Sequence, residues 1–179
     1  MNHLKKIISS LTISTAIILI GCGSDGGGSD DTVFWATDMQ TYESYQVNAP
    51  LYKEGKYCKI YVEDESRFLV NDSTLDSVID EFDNQIYPKT TSKFGEESDV
   101  DGNGKIILLI LDIRDGFNGT GGYIAGYFDS TNTLAKSLFN PYSNECDMIY
   151  LDCYPADPMS IDFQMTVAHE FQHLINFTQ

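Results

Sequence analysis

The sequence predicts an α+β domain with a mixed sheet, and three observations predict it. Short β-rich segments fall at 33–36, 42–47 and 57–62, and again at 106–111, 123–128 and 147–152. Apolar residues recur at helical spacing across 72–88. A second helical pattern closes the sequence at Val167-Ala168-His169-Glu170-Phe171-Gln172-His173-Leu174-Ile175-Asn176-Phe177. Period-two alternation marks a half-buried strand, and recurrence at three and four marks a helix packed on one side. Residues 32–179 are enough for one core, without internal repeats.

The chain opens with Met1-Asn2-His3-Leu4-Lys5-Lys6, and an uncharged run spans 7–20. Two lysines ahead of a short apolar run read as an export signal. The run is shorter than the ~20 apolar residues of a membrane-spanning helix. It ends Leu19-Ile20-Gly21-Cys22, which resembles the bacterial lipoprotein signal, where the cysteine is lipidated and becomes the first mature residue. Residues 1–21 are therefore expected to be a lipoprotein signal peptide and Cys22 its lipidation site. The product is an exported chain anchored to a bacterial membrane through lipid. Residues 22–31 contain Ser-Asp-Gly-Gly-Gly-Ser-Asp-Asp, a flexible tether with a reach of about 15 Å.

Charge narrows the partners. With 27 Asp and Glu against 11 Lys and Arg, the formal charge is −16. Nucleic acid is excluded as a partner, because so few cations are available to pair with phosphates. Beyond Cys22 the sequence holds Cys58, Cys146 and Cys153, with no C-x-x-C pair that reads as a cysteine metal site. An extended segment between Cys146 and Cys153 holds them about 23 Å apart, too far to bridge. A bridge from Cys58 to one of them stays open, which would leave the other free.

Taken in order, the strands at 33–36, 42–47 and 57–62 predict a sheet with one solvated face. Leu75, Val78, Ile79, Phe82 and Ile86 make 72–88 an amphipathic helix, with Asp72 or Ser73 as its cap. Asp76, Asp80, Glu81 and Asp83 form its solvated side, and Pro88 should push Tyr87 out of helical geometry. Asp99-Val100-Asp101-Gly102-Asn103-Gly104 opens like a calcium loop, which makes Asp99, Asp101 and Asn103 candidate Ca2+ ligands. The last position of that loop requires an acid, and here it is Ile110, so the simpler expectation is a turn into the next strand. The apolar run at 106–111 predicts a central strand buried on both faces. Residues 112–122 read as a glycine-rich rim, 123–128 and 147–152 as strands, and Ser160 or Asp162 starts the last helix.

That last helix carries H-E-x-x-H. His169 and His173 are four apart, so their imidazoles share one face and can converge on a metal at about 2.0–2.1 Å. Glu170 lies ~100° further round, beside a metal-activated water without being a ligand. Leu174, Val167, Phe171, Ile175 and Ala168 fill an arc from about 140° to 260° on the opposite side, toward a core. Two histidines and a glutamate in this register, on a helix with a buried back, point to a zinc hydrolase.

Further segments extend the pattern: F-D-N-Q-I-Y-P-K-T-T-S-K-F-G at 82–95, D-V-D-G-N-G-K-I-I-L-L-I-L-D at 99–112, G-Y-I-A-G-Y-F-D at 122–129, and N-E-C-D-M-I-Y-L-D at 144–152. Together with A-H-E-F-Q-H-L-I-N-F they resemble the hyicolysin family of bacterial zinc metallopeptidases, across roughly 34–179. The resemblance implies a zincin-like fold, with a helix backing the sheet and the metal helix beneath it. It implies His169 and His173 as Zn2+ ligands, Glu170 as general base toward a zinc-activated water, and protein or peptide substrates. It also implies that the strand at 122–128 is the sheet edge along which substrate aligns. A catalytic zinc normally takes three protein ligands, and no carboxylate comes after His173. The third ligand is therefore expected from further chain, with the domain apparently cut short after the metal helix. The rival expectation is a truncated surface lipoprotein without catalysis, a binding or structural remnant.

Overall fold

A computed structural model describes residues 32–179. The expected signal peptide, Cys22 and the tether lie outside the described residues. The elements are β1 (Val33–Thr37), β2 (Ser44–Asn48), β3 (Leu51–Glu54), β4 (Cys58–Val62), α1 (Asp72–Glu81), α2 (Tyr87–Phe94), β5 (Ile106–Leu111), β6 (Gly126–Tyr127), β7 (Met148–Asp152) and α3 (Ile161–Thr178). The architecture is α+β with a mixed sheet in the order β3-β4-β5-β7-β6. Strands β4, β5 and β7 run parallel, and the edge strands β3 and β6 run antiparallel to their neighbours.

The centre is set by β5, whose six apolar residues are all buried. Side chains alternate across a strand, so Ile106, Leu108 and Ile110 join the helices on one face. Ile107, Leu109 and Leu111 join the β1–β2 hairpin on the other. That hairpin corrects the expectation of a half-solvated sheet. β1 and β2 pair only with each other and lay Phe34, Ala36 and Val47 over the face expected to be wet. The partner of β4 on its outer side is β3, which the sequence reading missed because Leu51-Tyr52-Lys53-Glu54 is short and has no fully buried residue.

The helical segment departs from expectation in three places. Its cap is Asn71, whose Oδ1 accepts the Thr74 N–H at 3.0 Å, rather than Asp72 or Ser73. Pro88 does not end it. A proline ring clashes with the carbonyl four residues back in a regular helix, and one wide π-type turn over Phe82–Ile86 absorbs the clash. The Tyr87 N–H reaches back five residues to the Phe82 carbonyl, Tyr87 stays helical, and Pro88 sits in the first turn of α2. Asp83 is not on a solvated side. Its carboxylate accepts the N–H groups of Lys56 and Tyr57, closing the β3–β4 turn onto the helix.

One further expectation changes. Cys58 and Cys153 are buried free thiols, so Cys58 bridges neither Cys153 nor Cys146. In the 99–105 loop, Asp99 accepts the Gly104 N–H, Asp101 accepts the Asn103 N–H, and the Asn103 amide oxygen accepts the Lys105 N–H. The side chains close the turn on its own backbone, as expected of a turn into β5. Asp99 and Asp101 lie with Asp147, their oxygens within 4.8 Å of one another, and the Asn103 side-chain amide donates to Asp101.

The end of β7 positions the segments on either side of it. The buried Asp152 carboxylate accepts the Ile113 N–H at 3.0 Å and the Ala156 N–H at 3.1 Å. Its own N–H donates to the Ala125 carbonyl at 2.9 Å. Replacing Asp83 tests the join of sheet and helix: Asp83→Ala should lower the unfolding free energy by about 1–2 kcal/mol, the cost of two orphaned amides. Urea denaturation measures it, and unchanged stability would remove Asp83 from that role.

Candidate active site

Helix α3 begins where Ser160 accepts the Phe163 N–H at 3.1 Å, as its sequence predicts. Phe163, Val167, Phe171, Leu174 and Ile175 are buried against the sheet. Phe171 packs on Phe82 and Tyr87, with ring centroids 5.3 and 5.6 Å apart, so the π-type turn and α2 set the rotation of α3. Burying one such ring contributes about 1.5–3 kcal/mol.

That rotation leaves His169 and His173 on the exposed edge of the helix. Their Nε2 atoms face each other at 3.0 Å, with the rings at 87°. Two nitrogens each about 2.0–2.1 Å from one tetrahedral ion lie roughly 3.3 Å apart, so this pair is set for a shared zinc with little movement. The donor type fits as well, since neutral imidazole is a common zinc ligand.

Glu170 points inward instead. It is 8% exposed, on the side of α3 that faces β6. Burial raises the proton affinity of its carboxyl, while His169, His173 and the Phe128 backbone N–H oppose the rise. A carboxylate held this way is a better proton acceptor than a solvated one.

The opposite wall is β6, the sheet edge beyond β7. It is shorter than the strand expected at 123–128, because only Gly126 and Tyr127 pair with β7, in register with Leu151 and Tyr150. Gly126 lies so close to α3 that an added Cβ would stand 2.7 Å from Thr166 Cγ2 and 2.8 Å from the Tyr150 carbonyl oxygen. Ala125, Gly126, Asp162, Met165, Thr166, His169 and Glu170 line a cleft of about 360 Å³ between strand and helix. Gly126 and the Phe128 N–H escaped the sequence reading as parts of the site. The one available signal was a glycine inside a strand pattern, which marks close backbone approach.

The structure thus brings His169, Glu170 and His173 together. Among the described residues, one group of three acidic, histidine or cysteine side chains is close enough for a single ion: Asp99, Asp101 and Asp147. It contains neither histidine.

A known protein shares much of this sequence. The neutral metalloprotease ShpI of Staphylococcus hyicus is 35% identical over 158 residues, covering 84% of this chain and 34% of the relative. The chain resembles a metalloprotease. The similarity supports a metallopeptidase family, and the chain spans about a third of the length of the relative it matches. No family model matches the sequence.

The close approach at Gly126 makes a direct test. Gly126→Ala should cost about 1–3 kcal/mol of stability, because the methyl meets a backbone carbonyl that cannot yield cheaply. Thermal unfolding of the variant measures it, and full stability would show that the strand can move away from α3.

Proposed function

We propose that the protein is a zinc metalloendopeptidase of the hyicolysin type, exported and held at a bacterial membrane by a lipid on Cys22. The observation that carries the catalytic part is the convergence of His169 and His173 Nε2 at 3.0 Å beside the buried Glu170 carboxylate. The metalloprotease name of the 35% identical relative supports the same chemistry and implies protein or peptide substrates.

In this reading His169 and His173 hold the zinc, with a third ligand from outside the described residues. When bound, zinc supplies Lewis acidity toward the scissile carbonyl and toward water. Glu170 accepts the proton of the attacking water and returns it to the leaving amine. Burial against β6 and the N–H of Phe128 hold its carboxylate on the cleft side of α3. An extended substrate can lie along the unpaired edge of β6, adding a strand through main-chain hydrogen bonds.

Two variants separate metal binding from proton transfer. In the full-length protein, Glu170→Gln should keep its zinc by elemental analysis and lose about 10²- to 10⁴-fold in peptide cleavage. Cleavage at the unaltered rate sinks the role of Glu170. His169→Ala should lose stoichiometric zinc, and retention of one equivalent sinks the ligand assignment.

The anchor rests on Lys5-Lys6, the apolar run at 7–20 and Gly21-Cys22. Cys22→Ser should move the protein from the membrane fraction to the soluble fraction, with loss of fatty-acid labelling. An unlabelled mature protein, or one with Cys22 in a disulfide, overturns the lipid.

A further inference from the structure

We propose that Lys89 and Lys93 form a basic wall of the substrate groove and select peptides that carry an acidic side chain, a proposal that rests on the peptidase reading above. The two lysines are four residues apart on α2, so they share one face. With Phe94 they line a cleft of about 390 Å³ whose other side is formed by Met165, Ala168, His169 and Gln172 of α3. Met165 and His169 also line the cleft beneath β6. The two depressions therefore flank the same stretch of α3, one on each side of a candidate zinc ligand. β6 walls the depression on one side of α3, and the lysine face of α2 walls the depression on the other.

The charge of this wall runs against that of the chain. Carboxylates outnumber cations 27 to 11, yet neither lysine pairs with one of them among the described residues. The ion pairs there use Lys53, Arg67 and Lys105. The Lys93 ammonium stands 5.2 Å from the centre of the Phe94 ring, which orients it without neutralising it. On the β6 side the acidic groups are the exposed Asp162 and the buried Glu170. The two sides of α3 are thus polarised, basic toward α2 and acidic toward β6.

A peptide lying across His169 meets these two charges on opposite sides. An Asp or Glu side chain directed toward α2 finds two ammonium groups, while its methylenes lie against Phe94 and Met165. A Lys or Arg in that position meets like charge, so repulsion of the wrong partner adds to attraction of the right one. Exposed ammonium–carboxylate pairs are individually weak and screened by salt. The selectivity is accordingly modest and strongest at low ionic strength.

Binding tests this without relying on turnover. The zinc-loaded full-length protein carrying Glu170→Gln is titrated into fluorescent heptapeptides that differ only by Glu, Ala or Lys at one position, scanned along the peptide. At one position the Glu peptide should bind about three- to tenfold more tightly than the Ala peptide, and the Lys peptide more weakly. The preference should fade as salt rises. It should vanish in Lys89→Ala/Lys93→Ala and reverse in Lys89→Glu/Lys93→Glu, with unfolding transitions unchanged. Equal binding of all three peptides, a preference that survives the alanine pair, or no peptide binding overturns the basic wall. The peptidase reading fails separately, through absent zinc or absent cleavage of neutral peptides by the unaltered full-length protein.

Discussion

Asp152 is the buried carboxylate through which the sheet is tied to both walls of the cleft. It ends β7, between the parallel neighbour β5 and the antiparallel edge β6. Its oxygens hold the backbone leaving β5 at Ile113 and the backbone approaching α3 at Ala156. Its N–H holds Ala125, the residue before β6. Burial pushes its carboxyl up to about 6, and the two amide donors pull in the other direction. Three segments that are distant in sequence therefore take their positions from one side chain and its backbone. The strand wall and the helix wall of the cleft are two of them.

The separation of those walls then depends on packing. Phe171 seats α3 on Phe82 and Tyr87, while Gly126 lets β6 approach it from the opposite side. Between these contacts the helix has little freedom to rotate, and its three polar residues are sorted by angle. His169 and His173 emerge at the edge, where an ion can reach them, and Glu170 turns under the strand, where water is scarce. One helix thus presents an accessible histidine pair and a partly desolvated carboxylate. A solvated glutamate would be the weaker base, and a buried histidine pair would be closed to metal.

Local pattern was a sound guide wherever one residue type had one reason to be where it is. Six apolar residues in a row at 106–111 can only be satisfied by burial on both faces, and β5 is buried throughout. The Ser160 cap and the apolar arc of α3 were equally legible. Pattern misled where a residue had a distant partner. Asp83 looked like a solvated acid because Lys56 and Tyr57 are remote in sequence. Pro88 looked like a stop because the π-type turn that accommodates it has no clear signature. The strand at 123–128 shrank to two residues because only Gly126 and Tyr127 find partners on β7.

By itself the sequence determined the chemical types at the site: two histidines one helical turn apart, a glutamate beside them, and an apolar back that commits their helix to a core. These are consequences of the 3.6-residue period, which acts within a few residues and can be read along the chain. Only the tertiary structure decided that Glu170 lies under β6, that Gly126 sets the width of the cleft, and that Lys89 and Lys93 face His169 across a groove. Those placements arise from contacts between segments tens of residues apart. Such contacts depend on how whole elements pack, and no local spacing encodes them.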